Sequence, residues 1–250
     1  MCSIDVKLSK KAIREKIWSL LEEKDIPIFP RPVYGRIPSF KGQDKAAENL
    51  FSTKEWRNAR IIKVNPDSPQ QPVRLRALEE GKILIIASPR LKSGFVLLDP
   101  KLIPRSKYKD ASRISGFMSI GRKLGIDDLL GVGRIDLIVE GSVAVNQYGE
   151  RLGKGEGYGE LEYAVLAELG LVGEDTPIAT TVHDLQVVEY RLPQDPWDVP
   201  IDIVATPTRI IRCDRGPRPK GIFWDKLSKD KLNDIPLLRE LLAKTKQEAH

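Results

Sequence analysis

The sequence predicts an α/β protein of three layers, α/β/α, in which a largely parallel sheet lies between helices and a helical extension closes the chain. Three observations predict it. Short β-branched runs recur between residues 59 and 211 of the 250: ARIIKV, ILIIAS, IDLIVEGSVAVN, TPIATTVH and VPIDIVATPTRII. Segments with apolar residues three and four apart fall between them, which is the helical period. No repeat, low-complexity run or flexible linker divides the chain.

Residues 8–23 place Ile13, Ile17, Leu20 and Leu21 on one helical face, with Ser9 as N-cap and a basic outer face. IPIFPRPVYGRIPSF carries four prolines and reads as an ordered loop. Residues 43–52 and 53–58 read as helices, and ARIIKV as a strand ending at Asn65-Pro66. QPVRLRALEEGK is a helix closed by Gly81, ILIIAS a buried strand, and FVLLDP a strand and turn. A polar stretch follows over 101–121, and residues 135–146 form the clearest strand region. After a glycine-rich turn, LEYAVLAELG is a helix; TPIATTVH and VPIDIVATPTRII supply two more strands. LSKDKLNDIPLLRELLAKTK makes two short helices or one interrupted at Pro236. The expected division is an α/β domain over 1–212 and an extension, 213–250, packed on it.

Composition narrows the function. No apolar run approaches the roughly 20 residues of a membrane helix, and the N-terminus lacks an apolar signal core, so a cytoplasmic protein is expected. Cys2 and Cys213 have no metal or disulfide spacing, and two histidines, His183 and His250, rule out a histidine-rich metal site. The net charge of +6 favours an anionic partner, a phosphorylated or polycarboxylate ligand as readily as nucleic acid. Basic residues group at 7–16, 101–109 and 209–220.

The stretch RLGKGEGYGELEY, 151–163, sharpens that choice. Gly153, Gly155, Gly157 and Gly159 alternate with other residues just before a helix. Glycine costs backbone entropy when ordered, so four at this spacing imply a close approach. Bare backbone at a helix N-terminus suits phosphate, with Arg151 and Lys154 as countercharge. The absence of G-K-[ST] excludes a Walker loop, and the late position argues against a dinucleotide-binding turn. A purely structural turn stays open on these residues alone.

A wider pattern surrounds the ladder. IDLIVEGSVAVNQYGERLGKGEGYGEL resembles D-L-x-x-x-P-G-x-A-F-D followed by G-x-R-L-G-x-G-x-G-Y-Y-D-R. The matches fall at Asp136, Gly149, Arg151, Leu152, Gly153, Gly155, Gly157 and Tyr158. Lys10 and Arg14 in KKAIR match a K-x-x-L-R helix upstream, and HDLQVVEYRLPQDPWDVPIDIVAT matches an element downstream. On these motifs, spread over roughly residues 10–210, the chain is identified as a member of the 5-formyltetrahydrofolate cyclo-ligase family. It is most similar to the methenyltetrahydrofolate synthase domain-containing branch, through NPDSPQQPVR, SPRL and GIFW.

The resemblance implies a cyclo-ligase-like (NagB/RpiA/CoA-transferase-like) fold, a cytoplasmic ligase of one-carbon metabolism, and Mg2+ and ATP as needs of the reaction. ATP phosphorylates the formyl oxygen of a reduced folate, the nitrogen at position 10 attacks, and phosphate leaves as the methenyl ring closes. Carried over by motif, Lys10, Arg14, Arg151, Gly153, Gly155, Gly157 and Tyr158 bind ATP phosphates. Asp67 and Tyr158 face the substrate, and Glu160 is the candidate magnesium ligand, with a plain helix-capping acid as its alternative. Asp67 has an Asx-turn as its alternative, while Asp198, Asp202 and His183 read more readily as structural. Trp197, Tyr34 and Phe40 are candidates for an aromatic pocket.

The departures bear on activity. Gly159, Glu160 and Leu161 stand where the family has Tyr, Asp and Arg, Asn146 where it has Asp, and Glu140 where it has Pro. A non-catalytic or altered-substrate nucleotide- or RNA-binding protein on the same fold is therefore the second expectation, with RIIRCDRGPRPK as its basic segment. The basic runs lack the aromatic residues on which single-stranded bases stack, which weighs against nucleic acid.

Overall fold

The structure is a computed structural model that describes residues 9–248, with side chains up to residue 244; Cys2, His250 and Leu8 of the expected first helix lie outside the described residues. Ten strands run in chain order as β1 Ile61–Val64, β2 Ile83–Ala87, β3 Phe95–Leu98, β4 Arg122–Leu124, β5 Leu137–Glu140, β6 Ala144–Val145, β7 Arg151–Leu152, β8 Ile178–Thr181, β9 Ile203–Ala205 and β10 Ile210–Arg212. Eight form one sheet in the order β10-β9-β8-β5-β1-β2-β3-β4, while β6 and β7 form a separate ribbon. The five central strands are parallel and the edges antiparallel. The α/β class with a largely parallel sheet is thus borne out.

The central strands are apolar on both faces because both are covered. Ile62, Val64, Leu84, Ile86, Leu137 and Val139 pack into one core. That core is closed by helices α2 Gln43–Phe51, α3 Lys54–Asn58, α4 Gln71–Glu79, α5 Tyr108–Ala111 and α6 Ile114–Ile120. Ile85, Ile138, Ile178 and Val204 face the other core, with α7 Ile126–Val132, α8 Tyr158–Glu168 and α10 Pro236–Glu248. Helix α1, Lys10–Glu23, instead packs Ile13, Ile17, Trp18 and Leu21 against Val143, Ala144 and Leu152 of the ribbon. Ser9 caps it as expected, its Oγ accepting from Ala12 N at 3.1 Å. Trp18 rather than Leu20 completes the buried face.

Several expectations need correction. Residues 135–146 are not one strand: β5 ends at Glu140, and the chain turns at Gly141 to enter the ribbon. A side chain at 141 would stand 2.9–3.2 Å from Ile37, Gln70 and Asp67, so only glycine lets the backbone pass. The polar stretch 101–121 holds α5 and α6, whose apolar residues are too few for a clear helical period. VPIDIVATPTRII is a hairpin of β9 and β10, and the helix after the ladder begins at Tyr158. Around Pro236 there are two helices, α9 Lys229–Asp234 and α10, joined through Ile235. Ile235, Leu237, Leu238 and Leu241 are buried in the same core as β2, β5 and α8.

Candidate active site

Chain order decides where a ligand fits. From β1 the chain steps to β2 on one side, while β5, β8 and β9 build outward on the other. At such a switch point the loops leaving the strand ends diverge and open a crevice. A cleft of about 460 Å³ lies there, lined by Asn65 and Asp67 after β1, Gly141 after β5 and Pro89 and Arg90 after β2. The glycine ladder, Lys10 and Arg14 of α1, and Trp197 and Asp198 complete its wall. Arg74 of α4, fully buried, shapes the first loop by donating to Asp67 O at 3.0 Å and Ser112 O at 2.8 Å.

The ladder runs from β7 into α8, and its glycines have an identifiable cause. A Cβ on Gly153 would stand 3.2 Å from Arg151 Nη1, and one on Gly159 3.1 Å from Arg151 Nη2 and Glu140 Oε2. One on Gly155, whose φ is +102°, would stand 3.2 Å from Arg14 Nη1. The close approach is therefore by the protein's own guanidinium groups, packed along one side of the ladder. Arg14 Nε also donates to Gly153 O at 2.6 Å. Among the described residues, the backbone N–H groups of 153–157 make no hydrogen bond to the protein. Together with the first turn of α8 they form a concavity of unpaired donors, which suits an anion.

The cations around the cleft differ in how far they are committed. Lys10 Nζ is held by Asp195 at 2.7 Å and by Asp198. Arg151 is buried; Nη1 donates to Gly141 O at 2.5 Å, Nη2 pairs with Glu160, and Nε has no partner. Lys154 lies 3.5 Å from Asp67 and 3.3 Å from Glu156, and Arg90 3.6 Å from Glu156. Arg14 makes no ion pair among the described residues, although burial lowers its pKa from the ordinary value. Five cationic and six carboxylate side chains line the cleft. It is therefore not an excess of positive charge waiting for phosphate.

Beneath the floor lies a buried network with no signal in the sequence. Lys63, in the centre of β1, is fully buried and donates to Asn65 Oδ1 at 2.7 Å and Glu140 Oε1 at 2.9 Å. Its Nζ also lies 2.5 Å from Glu162 of α8, and Glu140 Oε2 has no partner. Burial pushes the Glu162 carboxyl up to about 7, against the attraction of Lys63. A buried ammonium is tolerated only when paired in this way.

Comparison with known proteins agrees with the motifs. The sequence profile of the 5-formyltetrahydrofolate cyclo-ligase family matches residues 6–207. The chain belongs to this family. It is 42% identical over 246 residues to the methenyltetrahydrofolate synthase domain-containing protein of Mus musculus, covering 96% of this chain and 65% of that one. To the Homo sapiens protein of the same name it is 39% identical over 249 residues, with 97% and 63% covered. The 5-formyltetrahydrofolate cyclo-ligase of Escherichia coli (strain K12) matches at 34% over 88 residues, 35% of this chain and 45% of that one. The chain thus spans less than two thirds of the length of each of these relatives. The fold is that of the Aquifex aeolicus 5,10-methenyltetrahydrofolate synthetase, with TM-score 0.51, 21% identity, and 87% of this chain and 99% of that one covered.

Against the family pattern, the structure brings Lys10, Arg14, Asp67, Arg151, Gly153, Gly155, Gly157, Tyr158 and Glu160 to one cleft, with Trp197 and Asp198 at its rim. Other candidates lie elsewhere. Phe40 is fully buried, 5.9 Å from the His183 ring, and His183 Nδ1 caps a turn by accepting from Leu185 N. Tyr34 packs on Trp18, 6.3 Å between centroids. Asp202 pairs with Arg215 and Arg218. Sequence reasoning missed Asn65, Arg90 and Glu162 in the cleft, and Lys231, which reaches it from beyond the family match. Among the described residues no helix is long and apolar enough to cross a membrane.

Proposed function

We propose that this family member binds Mg-ATP in the switch-point cleft and uses it to activate a formyl oxygen, with 5-formyltetrahydrofolate as the substrate and 5,10-methenyltetrahydrofolate, ADP and phosphate as products. The observation that carries the reading is the run of unpaired N–H groups over 153–157 beside Arg14, which among the arginines lining the cleft makes no ion pair with a described residue. Phosphoryl transfer asks a protein for positioning and for charge stabilisation more than for covalent chemistry. The ladder supplies fixed dipoles, Arg14 a planar cation, and Lys10 its one N–H not held by Asp195 or Asp198.

The cleft's own charges support a metal-bound nucleotide over a free one. With the carboxylates along the lining already matching its cations, the cleft offers a bare triphosphate no net positive charge. Among the described residues no group of three or more His, Cys, Asp or Glu side chains could hold a metal. That donor set fits magnesium carried on the phosphates with one or two carboxylates at most, Asp67 or Glu160. Bound magnesium would supply neutralisation of the phosphate oxygens. Glu160 already faces Arg151, so its first role is to hold that guanidinium in place.

Calorimetric titration of ATP, with and without magnesium, tests the binding. Saturable binding that strengthens with magnesium is expected, and none at about 1 mM ATP, an affinity near 4 kcal/mol, would overturn it. Absorbance of the methenyl product then tests the reaction. ATP turnover with another formyl or carboxyl acceptor, but never with 5-formyltetrahydrofolate, would keep the nucleotide site and change the substrate.

A further inference from the structure

The family match stops at residue 207, yet the chain beyond it returns to the cleft. Ser228 caps α9 by accepting from Lys231 N at 3.2 Å, and Ile235, Leu237 and Leu238 just beyond are buried in the main core. Lys231 is thus carried on an anchored helix that faces the ladder. Its Nζ donates to Glu156 O at 2.7 Å and sits 4.8 Å over the Tyr158 ring. A Cβ on Gly157, whose φ is +71°, would stand 3.1 Å from that Nζ.

Each glycine of the ladder therefore makes room for a cation: Gly153 and Gly159 for Arg151, Gly155 for Arg14, and Gly157 for Lys231. Arg14 and Lys231 form a matched pair. One donates to Gly153 O at the start of the ladder, the other to Glu156 O near its end. Neither makes an ion pair among the described residues, and the unpaired N–H groups of 153–157 run between them.

We propose that Lys231 is a phosphate-binding residue, which closes the far end of the ladder and meets the oxygens lying against the first turn of α8. The inference rests on the nucleotide reading above and adds a residue from outside the family match. Three features carry it. A carbonyl and a ring face orient the ammonium without neutralising it, and two of its three N–H donors stay available. Burial lowers its pKa from the ordinary value, with Glu160 and Glu156 attracting it from beyond ion-pair distance, so an anion at this point would relieve a cost already incurred. Finally, long side chains on a helix lean over the turn before their own Cα, so an arginine at 161, as in the family pattern, would reach toward Gly157. Leu161 leaves that corner uncharged, and Lys231 approaches it across a cavity of about 180 Å³ that both residues line with Gly157 and Glu160. Glu160 does not claim the ammonium, because it pairs with Arg151.

A mere clip between the ladder and the returning chain explains less. That chain is fastened without Lys231: Ile222 N donates to Glu168 Oε2 at 2.9 Å, and Arg215 and Arg218 pair with Asp202.

Calorimetric titration of the full chain with Mg-ATP, and with magnesium tripolyphosphate, which has neither base nor sugar, tests the assignment. Lys231→Gln and Lys231→Met both remove the charge, so that one variant decides if the other does not fold. Each is expected to weaken both ligands about tenfold or more, with the melting temperature unchanged. The ratio of wild-type to variant affinity is expected to shrink at about 1 M salt, where the Debye length is about 3 Å. Equal affinities in wild type and variants would overturn the proposal and leave the nucleotide site standing. So would a loss that comes with a lower melting temperature and keeps the same ratio at high salt, which would make Lys231 a clip. Tripolyphosphate binding that needs Lys231, in a protein that binds no Mg-ATP, would keep the phosphate contact and remove the nucleotide. Binding of neither ligand by wild type would overturn both readings.

Discussion

Arginines 14 and 151 flank the same ladder but do different work, and single substitutions separate them. Arg14 has both Nη groups available, so Arg14→Ala is expected to weaken Mg-ATP by about 1.5–3 kcal/mol, the range for a hydrogen bond to a charged group, with little change in melting temperature. Arg151 is enclosed; its removal leaves Glu160 largely buried without its cation. Arg151→Ala is therefore expected to cost about 3–5 kcal/mol of stability in denaturant unfolding, with or without nucleotide. A variant of unchanged stability would contradict the buried pairing. Glu162 makes a pH prediction. Its carboxyl, about 7 when folded against 4.5 ordinarily, holds a proton in the folded state that the unfolded chain has released. The stability it lends is full below about pH 4.5 and is lost as pH rises through about 7. Glu162→Gln removes that titration, so the stability of the variant relative to wild type is expected to be more favourable at pH 8 than at pH 5. An equal effect at both pH values would mean that Glu162 titrates normally.

Among the elements, the ladder is the most constrained. Gly155 combines a φ of +102° with a neighbour 3.2 Å from where a Cβ would stand. Gly155→Ala is expected to cost about 1–2 kcal/mol from the left-handed backbone alone. It should also push Arg14 outward, so ATP affinity should fall further than stability does. Gly35, equally left-handed but with open space around it, is the control: Gly35→Ala should cost stability without touching ATP. Most helices behave as their periodicity implies, α5 and α6 excepted, whereas the strands needed their partners. IDLIVEGSVAVN reads as one continuous strand because each residue in it suits a strand. Only the pairing of β5 with β1 and β8, and of β6 with β7, shows where the chain changes sheets.

At the scale of the whole molecule, three arginines of the basic segment RIIRCDRGPRPK are already paired with carboxylates. Arg212 pairs with Glu55 at 2.6 Å, and Arg215 and Arg218 close on Asp202 and Glu174. These arginines fasten the returning chain to the sheet edge. A filter-binding titration with single-stranded RNA is expected to show only weak binding with a shallow salt slope. A slope near −0.7 per phosphate over several phosphates would restore the second expectation.

The chain's order of residues by itself determined the layers, most helices, the family and the glycine spacing of the ladder. Those rest on local properties: β-branching, the helical period, glycine's freedom at positive φ, and short motifs whose residues lie close in sequence. Tertiary structure decided which groups are free to act. Lys63 meets Glu140 across 77 residues, and Lys231 meets Glu156 across 75, and neither has a local pattern that could announce its partner. The same holds for the cations: Arg151 and Lys10 look alike in sequence as phosphate ligands, yet their carboxylates arrive from α8 and from the 195–198 loop. A charge's availability depends on what surrounds it in space, because desolvation and pairing, not residue type, set whether it can still bind an anion.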